Sequence, residues 1–317
     1  MICRPQWLAL WMTALTMTIA SADAAAPKHP TQAPGYYRLM LGDFEVTALS
    51  DGTFPMPIDK ILANLPAGQI QAALHRHFLT DPPQMSVNGF LINTGDKLVL
   101  IDTGAGVFFG PTVGKLLTSL RASGYEPAQI DDVFITHMHA DHIGGLIVDR
   151  KAAFPNATVH ASSKEAGYWL DKARMAAAPE SERQAFANAA AALKPYLASH
   201  RFQTFDTAAE LVPGIRALPT EGHTPGHAIY AAESKGAKII FWGDTMHVAA
   251  IQFENPTVAS LYDVDPAEAG TKRAALFKET AERGQWVAGA HLSFPGIGHL
   301  RAAGRGYEFE PANYTVP

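Results

Sequence analysis

The run His137-Met138-His139-Ala140-Asp141-His142 constrains this chain more than any other stretch of it. Three imidazoles and a carboxylate fall within six residues, and the run begins two residues after Val133-Phe134-Ile135, which reads as a buried strand. Such a cluster is costly to bury unless a divalent cation takes up its lone pairs. His137 and His139, one residue apart, can point to the same side of an extended loop. Asp141 and His142 then aim elsewhere, which suits a second cation nearby. The fold must therefore bring further donors to the carboxyl end of that strand, where α/β proteins commonly place ligands.

Three later stretches offer such donors. Gly222-His223-Thr224-Pro225-Gly226-His227 presents His223 in a glycine/proline turn. Phe241-Trp242-Gly243-Asp244-Thr245 ends an apolar run on a carboxylate well placed to bridge two cations, and Trp286-Val287-Ala288-Gly289-Ala290-His291 ends another on an imidazole. Thiolate ligands are excluded, because the only cysteine, Cys3, lies in a processing segment. There, Arg4 precedes an apolar run from Trp7 to about Ala20, and Ala22-Asp23-Ala24 fits a small-residue cleavage site. Residues 1–24 are expected to be a signal peptide, too short and wrongly flanked for a stable membrane anchor, and the mature protein to be periplasmic or secreted and free of disulfides.

Residues 25–40 read as an N-terminal arm or linker, and 41–317 as a single domain. Of 317 residues, 47% are apolar, enough for a large core, and a net charge of −5 provides no basic field for nucleic acid. Strands are expected at Phe44–Leu49, closed by the turn pair Asp51-Gly52, and in a hairpin of Asn88–Asn93 with Lys97–Asp102. Later strands are expected at Ile215–Leu218, Ile229–Ala231, Ile239–Trp242 and Trp286–Ala290. Helical spacing runs over Ile61–Phe78 and Leu116–Ala122. Ser162-x-x-Glu165 reads as a capping box opening a helical region that extends, with a break at Pro179, to about Leu197. Strands at both ends with helices between them predict a layered α/β architecture.

With these marks the chain resembles the metallo-β-lactamase superfamily. Within it, the chain is most similar to the methyl parathion hydrolase-like branch, which holds lactone, aryl-ester and organophosphate hydrolases. The supporting stretches are Asp102-Thr103-Gly104-Ala105-Gly106, Phe109-Gly110-Pro111-Thr112, the His223 turn, and Ala290 to His299. The resemblance implies an αββα sandwich of two mixed β-sheets flanked by helices. It also implies one cation on His137, His139 and His223, another on Asp141, His142 and His291, and Asp244 bridging them. Nitrogen and oxygen donors suit Zn²⁺, with Mn²⁺, Fe²⁺ or Co²⁺ chemically acceptable. A pair of such ions acidifies a bridging water into a hydroxide nucleophile, with Asp141 orienting it or carrying a proton to the leaving group.

The resemblance further implies that Phe109, Trp169 and Phe186 ring the pocket entrance, although aromatics on amphipathic helices commonly belong to the core. His247, three residues beyond Asp244, places a polar donor beside the cations, which favours a lactone or aryl ester over a bulky apolar phosphotriester. The substrate is then a small hydrophobic ester, lactone or phosphotriester, and a homodimer is implied by the family alone. His227 and His299 are candidates to orient ligands, His299 also rivalling His291. His29, His75, His77, His160 and His200 read as ordinary surface or hydrogen-bonding residues, and the Asn-x-Thr strings at Asn156 and Asn313 as chance. The alternatives are a dedicated phosphotriesterase, a β-lactamase (disfavoured by Asp244 after Gly243) and a catalytically silent metal-binding module.

Overall fold

Alternation of apolar residues on two faces becomes two seven-stranded sheets in the computed structural model, which describes residues 26, 28, 29 and 31–316. The signal-peptide reading of residues 1–24, with Cys3, lies outside the described residues. From Pro34 onward the chain forms one compact unit.

The first sheet contains β1 (Tyr36–Leu41), β2 (Phe44–Pro55), β3 (Gln84–Asn93), β4 (Leu98–Ile101), β5 (Asp132–Phe134), β8 (Thr158–Ser162) and β9 (Phe202–Phe205), adjacent in that order. A small ribbon of β6 (Ile147–Val148) and β7 (Lys151–Ala152) stands apart from it. The second sheet runs in sequence order: β10 (Ala209–Val212), β11 (Ile215–Pro219), β12 (Ala228–Ser234), β13 (Ala237–Phe241), β14 (Trp286–Ala288), β15 (Ile297–Ala303) and β16 (Gly306–Pro311). Both sheets are mixed: β4, β5, β8 and β9 are mutually parallel, as are β13 and β14, and the other pairings are antiparallel.

The period of two explains the layering. On β3 and β4, Phe90, Ile92, Val99 and Ile101 face a core shared with Tyr230, Ile239 and Phe241 of the second sheet. Leu91 and Leu100 point the other way, into a core capped by helices. Those helices are α2 (Leu116–Ala122), α4 (Ser163–Trp169), α5 (Lys172–Ala177) and α6 (Glu180–Ala198), counting α1 (Ala67–Arg76) and the single turn α3 (Ala140–Ile143) before them. After the short α7 (Ala249–Gln252), α8 (Pro266–Arg283) covers the outer face of the second sheet by packing Phe277 against Trp242 and Val287. The layers are therefore helix, sheet, sheet, helix, as the resemblance implies.

Three local expectations need correction. The helix read from Ile61 to Phe78 is confined to α1, because Pro66 has no N–H to donate and biases the residue before it away from helical geometry. Asp51-Gly52 does not close a strand: β2 continues to Pro55 through a bulge between Ser50 and Gly52. The bulge turns Asp51 inward, where its carboxylate accepts backbone N–H groups of Ala105, Gly114 and Leu116 at 2.8–2.9 Å and pins the 103–116 loop. Burial raises the Asp51 pKa against those three donors. Finally, α4 does open after Ser162, but without a side-chain cap, and Glu165 is fully buried rather than capping.

Candidate metal centre and cleft

The parallel strands of both sheets end at one place, and nearly all the chemistry-bearing side chains leave from there. Asp102 follows β4 directly, the histidine run follows β5, Gly243-Asp244 follows β13 and His291 follows β14. The run itself straddles a junction. His139 is extended, with φ −70° and ψ 153°, and helix α3 begins at Ala140, so the two halves of the motif project differently. Gly243 has φ +52°, and a Cβ there would fall 2.7 Å from the Thr136 Cβ, so glycine is required just before Asp244.

Two clusters form around Asp244. His137, His139, His223 and Asp244 make one, and Asp141, His142 and His291 the other, with the donor atoms of each within 4.8 Å of one another. Asp244 presents its two oxygens to different sets. Oδ1 lies 3.0 Å from His142 Nε2 and 3.1 Å from His291 Nε2, while Oδ2 lies 3.3 Å from His223 Nε2 and 3.6 Å from His137 Nε2. Asp141 Oδ2 is 3.5 Å from His291 Nε2 and 3.8 Å from His142 Nε2. Donors bound about 2.0–2.2 Å from one cation at right or tetrahedral angles stand roughly 3.0–3.5 Å apart, so most of these separations fit shared ions.

The satisfied and unsatisfied atoms fit the same account. His142 Nδ1 donates to Asp102 Oδ2 at 2.8 Å, His223 Nδ1 to Asp263 Oδ1 at 2.8 Å and His291 Nδ1 to the Ser86 carbonyl at 2.9 Å. His137 Nδ1 lies 3.1 Å from the Thr136 hydroxyl, which itself donates to Asp102. With the outer nitrogens of these four rings engaged, the inner ones face the centre, where His223 Nε2 also lies 3.1 Å from His139 Nδ1. The buried Nε2 atoms of His137, His142 and His291, and Oδ1 of Asp244, have no hydrogen-bond partner. Buried polar groups are rarely left so, and cations would satisfy all of them.

The electrostatics are those of a crowded cation site. Burial alone would raise Asp244, but His142, His291, His247 and His137 outweigh it and hold the carboxyl well below its ordinary range. Burial and neighbouring imidazoles keep His137 and His139 well below theirs, hence neutral. Burial also depresses His223, but hydrogen bonds to Asp244 and Asp263 override it and lift the ring to about 9. His227, depressed to about 3 chiefly by burial, accepts the Asp244 backbone N–H at its Nε2 and so steadies that residue.

A cleft of about 650 Å³ opens onto His139, Asp141, Asp244, His247 and His291. Its walls include Phe54, Met85, Phe108, Phe109, Trp169, Leu261 and Tyr262. Phe109 is on the wall as expected, tilted against Phe54 at 5.3 Å, and Trp169 meets His139 edge-on at 5.4 Å. Phe186 is not on the wall. It is buried behind Trp169, 4.9 Å away, because α6 turns that face into the helix-capped core. His247 has neither ring nitrogen hydrogen-bonded, stacks on His291 and puts Nε2 3.0 Å from Asp244 Oδ2, forming a third cluster with those two residues. His299 neither orients nor replaces a ligand: pairing of β14 with β15 sets its ring 3.9 Å from Trp286, and its Nδ1 lies 3.1 Å from the Gln285 carbonyl.

Asp102, Asp263, Glu165, Leu261 and Tyr262 were not among the sequence candidates. Only Asp102 had a signal, its place at the end of a buried strand in Asp-Thr-Gly. Its φ of +57° is a conformation that aspartate tolerates better than most residues, held here by bonds from the Thr136 N–H and hydroxyl.

Fold and centre together define a metal-dependent hydrolase. The family model of the Metallo-beta-lactamase superfamily matches residues 82–291, and the chain belongs to that superfamily. Among solved structures it is similar to AbOPH, a hydrolase in the beta lactamase superfamily, at 38% identity and a TM-score of 0.86 over 90% of this chain and 100% of that one. It is also similar to AidC, a dizinc quorum-quenching lactonase solved with a homoserine product, at 28% identity and a TM-score of 0.83 over 89% and 99%. An N-acyl homoserine lactonase of Bacillus sp is 26% identical over 205 residues, 58% of this chain and 73% of that protein.

Proposed function

We propose that this chain hydrolyses lactones and aryl esters of small hydrophobic acids, with weaker action on phosphotriesters. The observation that carries the reading is the cleft, whose apolar walls lead a hydrophobic acyl or aryl group directly onto the clustered donors. His137, His139 and His223 would hold one divalent cation, Asp141, His142 and His291 the other, and Asp244 both, with Zn²⁺ favoured by the donor set. When bound, such a pair supplies Lewis acidity and acidifies water.

The chain's own residues do the rest. Phe109, Trp169, Leu261 and Tyr262 exclude solvent from the acyl group and fix its direction of entry. Asp141 stands at the cleft floor, able to hold a proton and pass it to the departing alkoxide. His247 lines the cleft with Nε2 3.0 Å from Asp244 Oδ2, and from there its ring is placed to donate to a substrate oxygen. That polar group suits an ester carbonyl and disfavours a bulky apolar phosphotriester. The curated and structural relatives that are lactonases support the same ranking.

The deciding experiment measures kcat/KM on the metal-loaded protein with dihydrocoumarin, an N-acyl homoserine lactone, methyl parathion and a β-lactam. Lactone turnover far above the other two is the expected result. Dominant methyl parathion turnover would overturn the ranking and leave a phosphotriesterase, and dominant β-lactam turnover would overturn the reading of Asp244 as a discriminator. Export is part of the proposal: residues 1–24 are read as a signal removed on the way to the periplasm or beyond. Among the described residues no helix is long and apolar enough to cross a membrane. Mass analysis of protein from a periplasmic extract should give a chain starting near Ala25, and a full-length mass would overturn that.

A further inference from the structure

Glu165 is fully buried beside the centre yet is a member of neither donor cluster. Its Oε1 accepts from the Met138 backbone N–H at 2.7 Å and the Trp169 indole N–H at 2.7 Å. Its Oε2 accepts from the Thr224 hydroxyl at 2.7 Å and the Gly226 backbone N–H at 3.0 Å. Each oxygen therefore faces two donors. The Met138, Trp169 and Gly226 N–H groups can only donate, so an amide nitrogen in place of either oxygen would face one of them; the Thr224 hydroxyl alone could also accept. Three fixed N–H donors favour the ionised carboxylate, while burial, the larger effect, pushes the Glu165 pKa up.

The four donors come from three pieces of the site. Met138 lies between His137 and His139, and Thr224 and Gly226 follow His223 in its turn. Trp169, four residues along α4 and so on the same helical face, stands edge-on to His139. The approach is close enough to restrict sequence: a Cβ on Gly226 would fall 2.1 Å from the Glu165 backbone nitrogen. No corresponding contact reaches Asp141, His142 or His291.

We propose that Glu165 is a positioning residue that fixes the His137–His139 loop, the His223 turn and the Trp169 wall relative to one another, so that one cation site of the pair depends on it and its neighbour does not. This rests on the ligand assignment above. It also gives floor and wall a shared anchor: a displacement of Trp169 is felt by the loop holding His139 through one carboxylate. A carboxylate that only stabilised the fold would weaken both sites together or neither.

The test titrates the full enzyme with Zn²⁺ against a chromophoric chelator, resolving both binding steps. Glu165→Gln should lower the affinity of one site roughly 10–100-fold, as loss of a partner that orients ligands does, and leave the other near wild type. Thr224→Val removes a single donor, keeps the side-chain volume, and should give a smaller loss at the same site, about threefold to tenfold. If Glu165→Gln fails to fold, Thr224→Val alone decides. Equal weakening of both sites, or unchanged affinity in both variants, overturns the role of Glu165. Wild-type protein that binds no cation overturns the ligand assignment instead, so the two failures are distinguishable.

Discussion

The floor and the walls of the cleft are built in opposite ways. On the floor, the imidazoles that meet Asp244 through Nε2 leave strand ends, turns or the single-turn helix α3, and four of them are backed on the far side by Asp102, Asp263, Thr136 or the Ser86 carbonyl. Part of the wall, Phe109, Leu261 and Tyr262, comes from loops and is 42%, 64% and 47% exposed, whereas Trp169 on α4 and Met85 on β3 are buried. Groups with buried partners on two sides have one arrangement, whereas exposed loop groups can change without disturbing the core. The difference teaches that reaction class is fixed by the part of this molecule that is hard to alter, and substrate preference by the part that is easy to alter.

That contrast breaks first at Asp244. Asp244→Asn, or stripping of metal by a chelator, should lower kcat/KM by about 10³-fold or more, on the order of 4 kcal/mol of transition-state stabilisation. Added Zn²⁺ should restore the stripped wild type but not the variant. A retained rate in Asp244→Asn would remove the floor from its central place. One layer further out, Asp102→Asn tests whether the backing charge matters. Asparagine also tolerates the positive φ at this position, so the backbone is undisturbed. Metal affinity should fall roughly 10–100-fold in chelator competition, and a wild-type value would mean that the carboxylate merely fills space.

The walls should respond more weakly and selectively. Phe109→Ala or Tyr262→Ala should shift the ratio of kcat/KM between a short-chain and a long-chain lactone by about 1–3 kcal/mol, with metal content unchanged. Equal losses on both substrates would show that these side chains do not discriminate. Smallest of all is Phe186→Leu. It should lower Tm modestly through a looser core and leave that substrate ratio within about twofold, as for a residue one layer behind the wall. A change as large as that of Phe109→Ala would return Phe186 to the pocket.

The sequence spoke clearly where chemistry and spacing coincide locally. His137 to His142 could be read because improbable residue types crowd into one turn, and the strands ending at Asp244 and His291 because apolar runs stop on a polar group. The partners of those ligands were silent for a physical reason. Asp263 reaches His223 from 40 residues away, and no local period records such a contact. Glu165 looked like a helix cap because the cap pattern depends on four residues and ignores what packs against them, and only the fold reveals four donors waiting inside. Asp51 misled in the same way, its turn-forming type serving a bulge instead. Phe186 and Trp169 share an aromatic helical texture, and only the rotation of α6 against α4 separates core from wall.

The donors run from residue 137 to residue 291 and come from both sheets. A nascent chain that has reached only the first sheet holds His137, His139, Asp141 and His142 but neither Asp244 nor His291, so cation capture waits for nearly the whole polypeptide. Ions held there would tie the two sheets together through these donors. A native state that alone binds an ion gains stability with the logarithm of its free concentration, about 4 kcal/mol at a thousand times the dissociation constant. How long this enzyme stays folded would then depend partly on the metal supply of its surroundings, and its melting temperature would gauge that supply.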